Sequence, residues 1–110
     1  MREYPKAINK LIRHYAHLAH EEELRRALVP LGTKFDEWRA GRLSSGELSD
    51  AIHEFHNGPS REVFKTYNEP ALLDMAVAYA VVTGVLDEKS IERPLLEHLA
   101  PAIQFYRERE

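Results

Sequence analysis

Apolar residues recur along this chain at helical spacing. Ala7, Ile8, Leu11, Ile12, Tyr15, Leu18 and Ala19 return every three or four positions, which predicts one apolar helix face. Pro5 ahead of them suits a first helical turn, where its missing N–H is no loss. The pattern resumes at Leu24, Ala27, Leu28, Leu31, Phe35 and Trp38, and stops at Gly41. Glu21, Glu22 and Glu23 separate the two runs. The periodicity is compatible with one long helix through them or with two helices that meet there. Pro30 inside the second run predicts a kink or a fresh start.

The stretch from Phe35 to Tyr67 is the most explicit. Gly41 predicts a helix end, because a residue without a Cβ takes the left-handed conformation at little cost. Ser44 and Glu47 form an S-x-x-E capping box, and Leu43 and Leu48 occupy the positions of a hydrophobic staple. The helix that follows presents Leu48, Ala51, Ile52 and Phe55 inward. Asn57-Gly58 predicts its end, and Pro59 the start of another short helix through Val63, Phe64 and Tyr67. Asn68 is placed to cap the next segment, ALLDMAVAYAVVTG, which is apolar nearly all round and predicts a central helix packed on several sides. Gly84 closes it. Leu86-Asp87 with Ile91 repeats the staple-and-cap arrangement, and Gly84 follows Gly41 by 43 residues. The last helix turns Leu95, Leu99, Ile103 and Tyr106 inward, passes Pro101, and ends in the solvated RERE. No alternating β-branched run predicts a strand. The expectation is a compact all-α bundle of about five to seven helices, one domain over residues 1–110, with a central helix at about 70–83 and short capped turns.

Composition narrows the function classes. A charge of −3 with 44% hydrophobic and 30% charged residues is an ordinary globular balance. It disfavours a protein whose whole surface binds nucleic acid. The absence of cysteine removes disulfides, thiolate metal sites and cysteine nucleophiles. MREYPKAINK has no apolar core of the kind a secretory signal needs. The longest apolar stretch, Ala71 to Leu86, is broken by Asp74 and falls short of the roughly 18 residues of a spanning helix. A cytoplasmic location with no membrane partner is the expectation.

Candidate chemistry is sparse. His14, His17 and His20 follow one another at i, i+3 and i+6, with Glu21 and Glu23 nearby. Yet neither H-E-x-x-H nor a paired E-x-x-H occurs, and the lone D-x-x-H, Asp50 to His53, stands by itself. No metal or cofactor is expected. Lys6, Lys10, Arg13, His17 and His20 share one narrow face and form a basic stripe facing a phosphate or an acidic partner. Aromatic residues are not interleaved as a stacking platform for nucleic acid requires. His53, His56 and Arg61 surround the Asn57-Pro59 corner, where a new helix N-terminus would offer free N–H groups to an anion or carboxylate. Asp74 is the one charge in the apolar helix and needs a partner: Arg61, a histidine or water. Its place near the start of that helix also fits a half-exposed dipole-favoured position.

No phosphate loop, nucleophile elbow or nucleotide fingerprint is present, which leans against an enzyme. The expectation is a small interaction or regulatory protein that works through protein–protein contacts and assembles as a homodimer. The alternative is a ligand-binding protein, metal-binding protein or enzyme with His53, His56, Arg61 and Asp74 converging on one cleft.

Overall fold

The computed structural model describes residues 3–109. The first two residues of the N-terminal segment and the last of the RERE tail lie outside it. Five α-helices form four rods. Helix α1 spans Lys6–Arg39, and α2 (Ser45–Phe55) continues through a π turn (His56–Ser60) into α3 (Arg61–Tyr67). A 3-10 turn (Pro70–Leu72) leads into α4 (Leu73–Val82), and α5 spans Arg93–Arg107. The all-α expectation holds. The rods number four rather than five to seven because two expected breaks do not occur.

The first is in α1, which runs unbroken for 34 residues. Its triple glutamate supports the helix: Glu22 reaches Arg25 at 2.8 Å and Arg26 at 2.6 Å, three and four residues on. Pro30 lies inside the helix at a solvent-exposed position. The carbonyl four residues earlier, on Arg26, loses its helical donor where water can replace it. The second break, at Asn57-Pro59, is bridged by the π turn. Phe55, His56, Ser60 and Arg61 all keep right-handed helical backbone angles. The wider turn relieves the clash a proline makes with the carbonyl four residues back.

The expected turns are built as the residues dictate. Ser44 Oγ accepts the Glu47 N–H at 3.0 Å, and Glu47 Oε1 accepts the Ser44 N–H at 3.1 Å. Gly41 and Gly84 take φ of +78° and +79°, and they close α1 and α4. Two caps differ. Asn68 donates back to the Phe64 carbonyl at 2.8 Å, and Glu69 caps the 3-10 turn instead. Asp87 caps a short 3-10 turn, Glu88–Ser90, while α5 starts further on at Arg93 with Pro94 in its first turn.

The core lies at one end. Ile8, Ile12, Tyr15, Ala16 and Ala19 of α1 pack with Val77, Ala78, Ala80 and Val81 of α4 and with Leu95, Leu99 and Ile103 of α5. Ala7 and Leu18, expected inward, face outward, and Ala16 takes a buried place. The rest of α1 leaves this core and runs antiparallel to α2, joined near the turn by a Trp38 Nε1 to Ser45 Oγ bond of 3.1 Å. The longest extent of the molecule, 53 Å, matches the about 51 Å of a 34-residue helix. Its radius of gyration is 17.2 Å, against about 13 Å for a spherical chain of this length. Among the described residues, no helix is long and apolar enough to cross a membrane.

Asp74 sits in the first turn of α4 but is only 3% exposed, not half-exposed. Its partner is none of those anticipated. The Tyr4 hydroxyl donates to Oδ2 at 2.9 Å, and the Met75 N–H donates to Oδ1 at 2.9 Å. Removing the phenol donor strands half of a buried carboxylate. Tyr4→Phe is expected to cost about 1–3 kcal/mol in urea unfolding. A loss within the error of the measurement would mean that another group satisfies Oδ2.

Candidate functional site

The four residues expected to converge are divided by the fold. His56 and Arg61, on the continuous α2–α3 rod, line a surface groove of about 390 Å³ with Asn57, Ser60 and Phe64. His53 is exposed one turn earlier and is not part of that lining. Asp74 is committed to Tyr4 within the bundle. The free helix N-terminus expected at Pro59 does not exist, because the chain is already helical there. Its first-turn N–H groups are therefore not offered to an anion. Among the described residues, no group of three His, Asp or Glu is placed to hold a metal ion.

Lys6, Lys10, Arg13 and His17 are exposed along α1, and His20 is half-buried. The His20 ring stacks on Tyr67, with centroids 6.0 Å apart and planes at 16°, and meets Phe64 edge-on at 6.4 Å. The Tyr67 hydroxyl is buried and makes no hydrogen bond. It lies beside the Glu23 carboxylate, the acceptor toward which its proton is drawn. Burial first, then the nearby negative charge, raises its proton affinity well above that of an ordinary phenol.

Two apolar surfaces escaped the sequence reading. A cleft of about 560 Å³ opens between the end of α3, α4 and α5, lined by Leu72, Met75, Tyr79, Phe105 and Tyr106, with Lys65 and Glu69 as its charged members. Tyr79 stands edge-to-face with Tyr106 at 5.0 Å, and Arg109 lies over the Phe105 ring at 3.6 Å. Such a wall accommodates an apolar body rather than a reaction. The only sequence signal was a tyrosine in the middle of an otherwise aliphatic helix.

The second surface is the two-helix hairpin. No residue of α1 beyond Ala19 is buried, and Leu48 alone is buried in α2. Leu28, Val29, Trp38 and Ile52 are 40–58% exposed. A groove of about 270 Å³ runs between the two helices, with Ala27, Leu31, Ala51 and Phe55 in its walls and Lys34 and Glu54 facing it. The apolar periodicity of both segments was legible in the sequence. That no third helix covers them was not.

Comparison with protein-family models, curated proteins and solved structures found no match to this chain. The chemistry of these surfaces is therefore the ground for a functional reading.

One polar contact ties the segment before α5 to the core. The Tyr15 hydroxyl donates to Glu92 Oε2, and the Ser90 carbonyl lies 3.2 Å from the Tyr15 hydroxyl oxygen. With one proton to give, the phenol favours the charged acceptor. That bond holds Glu92 below the usual carboxylate range, and the same bond, with burial, pushes Tyr15 up. For Glu92, the folded value lies below the unfolded one. Its stabilisation is complete above an ordinary pKa of 4.5 and is lost as pH falls through the folded value. For Tyr15, the stabilisation is complete below 10.0 and is lost as pH rises above it. Tyr15→Phe is expected to flatten the pH dependence of the unfolding midpoint at both ends. An unchanged profile would show that the contact carries no linkage.

Proposed function

We propose that the protein is a cytoplasmic interaction protein of the regulatory kind, which works through protein–protein contacts and pairs with a second copy of itself through the α1–α2 hairpin. The observation that carries this reading is the near-absence of burial in the hairpin: one buried residue across the second half of α1 and all of α2. An isolated helix of 11 residues is marginal in water, and most helical stability comes from packing an apolar face. A hairpin with such faces and no third layer is stabilised by whatever covers it.

Several features favour a second copy as the cover. The uncovered hairpin is about 30 Å long and about two helices wide, roughly 600 Å² in projection. That is close to the about 800 Å² per partner of a stable interface. Lys34 and Glu54 face the same groove, an opposite-charge pair that a two-fold axis matches with itself. A cytoplasmic setting fits a cysteine-free chain of ordinary globular composition.

Native mass spectrometry and light scattering at micromolar concentration are expected to return twice the 12.7 kDa chain mass. The double variant Ala27→Arg with Ala51→Arg puts charge and bulk into the groove at half-buried helix positions and is expected to be monomeric, with its helical circular dichroism kept. A wild-type monomer at high concentration, or a variant that still dimerises, would overturn the assignment.

A further inference from the structure

The basic stripe of α1 does not simply face solvent. At the core end of the molecule, away from the hairpin, its last three members form one wall of a groove of about 250 Å³. Arg13, His17 and His20 sit at i, i+4 and i+7, within a narrow arc of the helix. Tyr67 and Asn68, at the end of α3, form the facing wall. No aspartate or glutamate lines this groove, in a chain that carries 18 acidic residues against 15 lysines and arginines.

Two observations give the groove a preference. Arg13 has no carboxylate partner among the described residues, so its guanidinium is open to an anion. His20 is held in place by its stack on Tyr67 and its contact with Phe64, so its orientation is set before any ligand arrives.

We propose that this groove binds a small tetrahedral oxyanion, inorganic phosphate or the phosphate of a small monoester, through the Arg13 guanidinium and the ring N–H groups of His17 and His20. The volume lies below the about 300–1,000 Å³ of sites for drug-sized molecules, so it suits one tetrahedral group rather than a nucleotide. A guanidinium offers a phosphate two parallel hydrogen bonds, and each imidazole N–H adds a further donor. The nearby acids set the limit on affinity. Glu23 lies one turn beyond His20 beside the Tyr67 hydroxyl, and Glu69 follows Asn68 with its carboxylate turned to the Ala71 N–H. Asp74, on the adjoining helix, is engaged by Tyr4. Neither Glu23 nor Glu69 lines the groove, and both weaken anion binding by their charge.

The test is a titration of the intact protein with sodium phosphate and with sodium sulfate at constant ionic strength, read by the imidazole resonances of His17 and His20. Saturable shifts confined to these two rings are expected with both anions. The exposed Arg13→Gln substitution should weaken both anions by about tenfold or more, with the remaining resonances unmoved. Acetate at equal strength is expected to shift neither ring saturably. Equal shifts with every anion, an unchanged Arg13→Gln titration, or acetate binding as tightly as phosphate would each overturn the proposal.

Discussion

The stripe Ile8, Ile12, Tyr15, Ala16 and Ala19 on the first half of α1 is the contact on which the rest of the molecule depends. It is the surface that α4 and α5 share, and both helices bury their own apolar faces by meeting it. Small residues on α1 and α4 (Ala16, Ala19, Ala76, Ala78, Ala80) let the backbones approach closely, while Ile12, Leu95 and Leu99 fill the space between. Tyr15 joins the same stripe to the segment before α5 through its hydroxyl, so one residue serves both the apolar core and the polar anchor.

Because α1 is continuous, its packing at one end has consequences at the other. The same helix that forms the core wall carries the hairpin out to a molecular length of 53 Å. The hairpin is rigid in direction, since nothing between Ala19 and Arg39 interrupts the helix, yet it is thin in cross-section. The molecule therefore has two unlike ends: a packed core of α1, α3, α4 and α5 with a basic groove and an apolar cleft on its flanks, and an uncovered pair of helices. The proposed self-association through the second would leave the first accessible.

The part of the fold legible in the sequence was the part governed by neighbours along the chain. The Ser44–Glu47 box, the left-handed glycines at 41 and 84, and the inward set Leu95, Leu99 and Ile103 all rest on interactions within a few residues. Continuity was less legible, because Pro30 and Asn57-Gly58-Pro59 carry strong local signals to stop. At Pro30 the lost bond is open to water, and at Pro59 a π turn absorbs the misfit. Neither compensation has a signature in the residues themselves. The candidate site suffered from the same limit: His56 and Arg61 share a groove because they are close in sequence, while Asp74 is engaged by Tyr4 within the bundle.

By itself the sequence determined that the chain is helical, where its main turns fall, and which faces are apolar, because helical periodicity and capping are written within one or two turns. It also determined that Asp74 must find a partner, since a buried carboxylate cannot be left alone. Only the tertiary structure decided that the partner is Tyr4, 70 residues away, and that Tyr67 and Asn68 line one groove with Arg13, His17 and His20. It alone decided that half of the longest helix has no cover. The reason is physical: an apolar face states that it must be buried, but not against what.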